Sequence, residues 1–161
     1  AILGNGGHTI TPHVVSRIEY VSGKVKVMTQ TPPEQVLEPG TSERITRMLV
    51  NVVDKALLGG TVKIPEYSIA AKTGTAQIHD PSGGYYEDRY LHTFFGYFPA
   101  YDPKFIVFFY TYHPKNGATF ASHTLTHPFI RTAKFLLHYY NVPPDRAGGS
   151  ATLTGTRSAA R

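Results

Sequence analysis

The chain has 161 residues, of which 41% are hydrophobic and 12% aromatic, a length and composition that favour one globular domain and exclude a disordered chain. It contains no cysteine, which excludes a disulfide framework, a thiolate metal site and a cysteine nucleophile. The net charge of +5 is compatible with anionic phosphates, membranes or polymers as partners, but the longest apolar run, 105–110, is far shorter than the roughly 20 residues that span a bilayer.

The first 36 residues predict turns and a short hairpin. Gly4, Gly6 and Gly7 indicate a turn at the start of the chain. The segment 21–36 alternates between apolar and polar residues in places and is broken by Gly23 and by two prolines, so we predict a hairpin-like excursion there.

The clearest helix follows over 45–57. Its apolar residues recur at the spacing of one helical face: Ile45, Met48, Leu49, Val52, Val53, Ala56 and Leu57. Thr41 or Ser42 is predicted to cap its start, and the pair Gly59-Gly60 to end it.

Three strands are predicted over 67–76, 93–98 and 105–112, with a polar loop over 77–92 between the first two. The last two strands are joined by a short, turn-rich segment, which indicates an antiparallel hairpin. A final helix is predicted to start near Pro128, because proline suits a first helical position, and to end at Pro143-Pro144.

This order of elements predicts the fold class. A helix, three strands and a helix, without regular strand–helix–strand alternation, indicate an α+β domain with an antiparallel sheet covered by helices. We predict that this domain occupies 1–144 and that the small, polar residues of 145–161 form a disordered tail.

Lys72-Thr73-Gly74 carries the most chemical information. On a strand, it presents an amine and a hydroxyl to the carboxylate of an acyl substrate, and glycine lets a ligand or a neighbouring element approach the backbone. A backbone N–H next to it can donate to a developing oxyanion. Lys-Thr-Gly belongs to the motif set of β-lactamases and penicillin-binding proteins, but the tripeptide alone also fits an exposed lysine on an ordinary strand.

The surrounding sequence supports the catalytic interpretation. Lys-Thr-Gly-Thr-Ala-Gln over 72–77 is followed by Thr-Phe-Phe-Gly-Tyr-Phe-Pro over 93–99, and the Gly-rich turn and Pro12 lie upstream. In this order, the segments resemble the carboxy-terminal part of the transpeptidase domain of class B penicillin-binding proteins. The resemblance covers about residues 1–144. It implies a β-lactamase-like α+β fold that is incomplete here, because the amino-terminal half of the domain is missing.

The resemblance implies roles for four residues and requires no metal or cofactor. Lys72 would face the nucleophilic serine, and Thr73 and Thr75 would bind the carboxylate of a D-alanyl-D-alanine donor or a β-lactam. The backbone N–H of Thr75 would supply half of the oxyanion hole, and Gly74 would keep the strand close to the ligand. The catalytic residues would thus be Lys72 and Thr75, and the substrate-binding residues Thr73, Gly74 and Thr75.

The sequence lacks the other motifs of that family. No Ser-x-x-Lys or Ser-x-Asn occurs in it, so the chain alone has no recognisable nucleophile and we expect it to be inactive. The family places both motifs before Lys-Thr-Gly, which implies that they would precede Ala1. The implied partners are the amino-terminal half of the same domain, the peptidoglycan stem peptide, β-lactams and a membrane glycan polymerase. The implied location is the extracytoplasmic face of a bacterial inner membrane, with the anchor outside this chain.

Other functions are less well supported by the sequence. His123 and His127 are four residues apart but lack the glutamate of a His-Glu-x-x-His zinc motif. The tyrosines and phenylalanines of 85–98 are not interleaved with basic residues, so they indicate a sheet face rather than a nucleic-acid surface. Two alternatives stay open: a truncated relative that binds cell-wall peptide without turnover, and a small structural domain with an incidental Lys-Thr-Gly.

Overall fold

A three-stranded antiparallel sheet lies at the centre of the chain in a computed structural model that describes residues 1–29, 31–115 and 117–146. The strands are β3 (Ala70–His79), β4 (Tyr85–Phe98) and β5 (Phe105–Tyr112), and the helices are α1 (Pro39–Asn51) and α2 (Ala121–Tyr139). A separate hairpin of β1 (Arg17–Glu19) and β2 (Val25–Val27) precedes α1, and every residue of its strands is exposed. The predicted excursion over 21–36 thus contains only the second strand, because the first strand lies before it. The α+β class with an antiparallel sheet is confirmed.

The order of the strands in the sheet is β3-β4-β5, so β3 is an edge strand. Lys72 lies opposite Phe95 of β4, which in turn lies opposite Phe108 of β5. The predicted antiparallel pairing of the last two strands is confirmed. The prediction of a loop over 77–92 is wrong: β3 continues to His79, β4 begins at Tyr85, and only a tight turn separates them. The glycines and charged residues of 80–89 favoured a loop, although the tyrosines from Tyr85 onward already indicated a sheet face.

The two helices cover opposite faces of the sheet. Phe129 of α2 packs on one face against Phe94 and Phe98, with Phe94 and Phe129 stacked at a ring-centroid distance of 4.4 Å. On the other face, the hydroxyls of Thr46 of α1 and Tyr97 of β4 form a buried hydrogen bond of 2.7 Å. Burial raises the pKa of the Tyr97 phenol. Both helices therefore fix β4, and β4 holds β3 in place.

The predicted helix starts are both wrong. Helix α1 begins at Pro39 with Glu38 as its N-cap, and no side chain caps it. Helix α2 begins at Ala121, so Pro128 lies inside it. Pro39 suits the first position of α1, a local signal that the sequence-based prediction did not use. In α2 the fully buried Ala121 accounts for the early start, because tertiary burial outweighs the local proline signal at Pro128.

The helical region after Pro39 is also less regular than its apolar spacing predicts. A π-helical segment, Val52–Ala56, and a 3-10 turn, Leu57–Gly60, follow α1. Met48, assigned to the predicted apolar face, is 64% exposed, whereas Thr46 and Val50 are buried.

Two residues of the predicted tail pack against the domain. Asp145 accepts hydrogen bonds from the backbone N–H of Ser68, at 2.8 Å, and from its hydroxyl. Arg146 forms an ion pair with Asp54 at 2.7 Å. These contacts join the segment after α2 to the segment before β3. The rest of the predicted disordered tail, 147–161, lies outside the described residues.

Candidate active site

The predicted site residues lie together on β3, the edge strand. Lys72 and Thr75 are exposed, and Thr73 and Gly74 are partly buried. Their inner neighbours on β4 are Phe95, Phe94, Thr93 and His92 in turn. In the described part of the chain β3 pairs with β4 only, so its outer edge is open to an extended ligand.

Alternation along β3 places the ammonium and the two hydroxyls on opposite faces of this edge. Lys72 and Gly74 lie on the face of α1, and Thr73 and Thr75 lie on the face of α2. The ammonium of Lys72 donates a hydrogen bond to the carbonyl oxygen of Thr73 at 2.8 Å. A ligand along the edge can therefore meet a cation on one side and hydroxyls on the other.

Gly74 makes room for a neighbouring side chain. A Cβ at this position would collide with the hydroxyl oxygen of Thr93, which lies opposite it on β4. The Thr93 hydroxyl is 3.4 Å from the Gly74 carbonyl oxygen. Glycine is thus needed at position 74 in this structure because the Thr93 side chain of β4 lies so close to it.

The hydroxyl of Thr75 has a partner at the start of α2. The backbone N–H of Ala121, the first residue of that helix, donates to the Thr75 oxygen at 3.0 Å. Because this oxygen accepts there, its own proton can be donated to another group. Thr75 is exposed, so that group can be a ligand.

Ser68 is the serine nearest to Lys72 in the sequence, and its hydroxyl is hydrogen-bonded within the fold. Ser68 is 1% exposed, its hydroxyl donates to Asp145, and the same oxygen accepts from the backbone N–H of Ala100 at 2.9 Å. It lies before β3 and is bonded away from the strand edge. Ser68 therefore cannot act as the nucleophile beside Lys72.

The described residues contain no group of three or more His, Asp or Glu side chains arranged to hold a metal ion. Within the same residues, neither helix combines the length and the apolarity that a membrane crossing needs. A polar cavity of about 390 Å³ lies away from Lys72, between the β4 start and the segment after β5, and contains Glu87, Asp88 and Lys115. Its mixed charges do not point to one ligand.

Comparison with known proteins decides the family. The model of the penicillin-binding protein transpeptidase domain matches residues 1–132. The chain belongs to this family. It is 32% identical to the penicillin-binding protein PbpB of Mycolicibacterium smegmatis over 96% of its own length, and 33% identical to the stage V sporulation protein D of Bacillus subtilis over 78%. A solved structure of penicillin-binding protein 3 of Mycobacterium tuberculosis in complex with ampicillin is 26% identical and matches 92% of the chain with a TM-score of 0.79.

The matched region is a small part of these relatives. The chain spans 25% of the length of the M. smegmatis protein, 19% of that of the B. subtilis protein and 34% of the M. tuberculosis structure. The predicted resemblance is thus confirmed, and the chain carries part of a transpeptidase domain with its Lys-Thr-Gly strand.

Sequence reasoning did not identify two residues that support this strand. His92 and Ala121 connect Thr75 to α2, but a single histidine in a strand gives no signal of its own. The start of α2 was expected seven residues later, at Pro128, so Ala121 was not recognised as a helix N-terminus.

Proposed function

We propose that this chain is the Lys-Thr-Gly portion of a serine D,D-transpeptidase that cross-links peptidoglycan. The observation that carries the proposal is the placement of Lys72, Thr73 and Thr75 on the open edge of β3. An extended acyl-D-alanyl-D-alanine peptide can add to such an edge through its main chain. Penicillin-binding protein 3 of M. tuberculosis has been solved in complex with ampicillin and with aztreonam, which supports β-lactams as ligands of the completed domain.

In the proposed reaction, a serine outside these 161 residues attacks the carbonyl carbon of the penultimate D-alanine. The peptide bond to the terminal D-alanine breaks, D-alanine leaves with the proton given up by the serine, and an acyl-enzyme remains. The amine of an acceptor stem peptide then takes the acyl group, and its proton returns to the serine oxygen.

The positive charge of Lys72 lies beside that serine and its base and helps to hold their protonation states. Thr73 and Thr75 donate hydrogen bonds to the donor carboxylate, and the backbone N–H of Thr75 donates to the oxyanion. The chain by itself has no such serine and is inactive in this proposal.

The proposal requires the amino-terminal half of the domain as a partner of this chain. The outer face of β5 exposes a row of large apolar and aromatic side chains: Ile106, Phe108, Tyr110 and Tyr112. In the described structure β5 pairs with β4 only, so its other edge is free as well. Exposed apolar faces and unpaired edges favour association, and an amino-terminal companion segment that carries Ser-x-x-Lys and Ser-x-Asn would cover them.

The names of relatives support a role in peptidoglycan synthesis: several are called peptidoglycan D,D-transpeptidase FtsI homologs, and others penicillin-binding protein PbpB. We propose that the protein acts on the extracytoplasmic side of a bacterial membrane, in wall synthesis during cell division or in cell shape, together with a glycan polymerase.

Intact-mass spectrometry with a labelled penicillin tests the proposal. The isolated chain should form no covalent adduct, and the chain combined with its amino-terminal companion segment should be acylated on a serine of that segment. An adduct on the isolated chain would refute the assigned position of the nucleophile. Reversible binding without any adduct in the completed domain would instead identify a relative that binds cell-wall peptide without turnover.

A further inference from the structure

His92 is a fully buried histidine next to the strand edge. It lies on β4 directly opposite Thr75, is 0% exposed, and faces the start of α2. Both of its ring nitrogens have partners: Nε2 is 3.0 Å from the carbonyl oxygen of Thr119, and Nδ1 is 2.9 Å from the hydroxyl of Thr124. Because both nitrogens of this buried ring are hydrogen-bonded, the ring holds the Thr119 carbonyl and the Thr124 hydroxyl in position.

The chemistry of these partners defines the tautomer. A carbonyl oxygen only accepts, so Nε2 carries the proton toward Thr119. In the neutral ring Nδ1 is then an acceptor, and the Thr124 hydroxyl donates to it. The other acceptor within reach of that hydroxyl, the carbonyl oxygen of Ala121, is more distant at 3.2 Å.

These two hydrogen bonds hold the backbone on both sides of Ala121. Thr119 precedes α2, and Thr124 lies in its first turn. Ala121 lies between them, and its N–H, which has no acceptor within the helix, donates to the hydroxyl of Thr75 at 3.0 Å. The N-cap residue of α2, Phe120, makes no side-chain capping bond, and the Thr75 hydroxyl of β3 supplies an acceptor to the helix N-terminus instead.

We propose that His92 is a positioning residue that orients the Thr75 hydroxyl for ligand binding. By fixing the first turn of α2, it keeps the Ala121 N–H on the Thr75 oxygen, which leaves the hydroxyl proton to be donated to a carboxylate at the open edge. The proposal rests on the proposed function, since it needs a carboxylate ligand on this edge. It adds a residue from outside the Lys-Thr-Gly segment to the machinery.

The test uses the chain combined with its amino-terminal companion segment. The rate constant of acylation is measured with benzylpenicillin and with its methyl ester, which has the same reactive ring but no carboxylate. His92→Phe keeps a planar aromatic ring, which is slightly larger, and removes both hydrogen bonds. We expect it to slow acylation by benzylpenicillin by about tenfold and to leave the rate with the ester within about twofold, the size expected for one misaligned hydrogen bond to a charged group.

Conservative variants separate positioning from folding. His92→Gln can still donate to Thr119 and should recover part of the rate with benzylpenicillin. Thr124→Val should act like His92→Phe, and Thr124→Ser like the unchanged protein. When Thr75 is already replaced by valine, adding His92→Phe should have little further effect on the rate, because the hydroxyl that His92 orients is gone. Equal losses with the acid and the ester, or no loss with either, would overturn the proposal.

A second measurement is independent of acylation. In the ¹⁵N-labelled chain within the same complex, the amide proton shift of Ala121 reports its hydrogen bond to Thr75. His92→Phe should move this shift toward its value in Thr75→Val, and an unchanged shift would overturn the proposal. If the unchanged complex shows the expected Ala121 shift but reacts with neither penicillin, the proposed function fails while the hydrogen-bond network stands.

Discussion

Gly96 of β4 lies directly beneath the ring of Phe129 of α2. A Cβ on Gly96 would be 2.5 Å from Cζ of Phe129 and 2.8 Å from Cβ of Ala71 on the neighbouring strand. Phe129 and Ala71 are both fully buried, so neither can move aside cheaply. The absence of a side chain at Gly96 is therefore what allows α2 to lie close to the sheet.

Gly96→Ala should lower the free energy of unfolding by about 2 kcal/mol, since overpacking of a well-filled core costs about that much. Gly40→Ala is the matched control, because a Cβ there meets no atom within 4 Å and the position lies in α1. The control should be neutral or slightly stabilising. Urea unfolding of both variants in the completed domain measures the difference, and equal midpoints would contradict this account of the α2 packing.

Lys72→Ala should reduce the acylation rate of the completed domain by about a hundredfold or more, because the cation beside the reacting groups is lost. Lys104→Ala is the control, since Lys104 is also exposed but forms its ion pair with Asp102, after β4. Its rate should stay unchanged. Stopped-flow acylation with a fluorescent penicillin measures both, and a Lys72→Ala rate close to that of the unchanged protein would remove this lysine from the site.

Asp145→Ala should destabilise the completed domain by about 1–3 kcal/mol, because it leaves the buried N–H and hydroxyl of Ser68 without their acceptor. Asp102→Ala removes a carboxylate that pairs with Lys104 and whose side chain is 82% exposed, so it should change stability little. Thermal unfolding compares the two variants. Similar melting temperatures would show that Asp145 does not anchor the segment after α2.

The exposed face of β5 should make the isolated chain bind hydrophobic dyes and aggregate. Phe108, in the middle of that face, is 59% exposed. Phe108→Ser should lower dye binding by the isolated chain and weaken its association with the amino-terminal companion segment by about tenfold or more, since burial of a phenylalanine contributes about 1.5–3 kcal/mol.

Phe135→Ser tests whether the effect belongs to this face. Phe135 is 61% exposed on α2, the helix on the opposite face of the sheet. Phe135→Ser should leave the association constant with the companion segment unchanged. A cooperative, monomeric isolated chain that binds no dye, as judged by light scattering and fluorescence, would contradict the predicted dependence on a companion.

The sequence alone determined the family resemblance and the antiparallel class of the sheet. Lys72-Thr73-Gly74-Thr75 and the strand that contains Phe94 and Phe98 carry local patterns of residue type and alternation, and these predicted the three strands and the hairpin of the last two. The bounds of β5 were predicted to the residue. Strands and hairpins form between residues that are close in the chain, so the local order of residue types is enough to predict them.

The tertiary structure alone decided what surrounds the site. The start of α2 at the buried Ala121 and the bonds of Asp145 with Ser68 depend on contacts between residues far apart in the chain. The same holds for the link from His92 through the first turn of α2 to the hydroxyl of Thr75. A hydrogen bond between distant residues leaves no periodic trace in the sequence, because any of several residue types can supply a donor or an acceptor at that point.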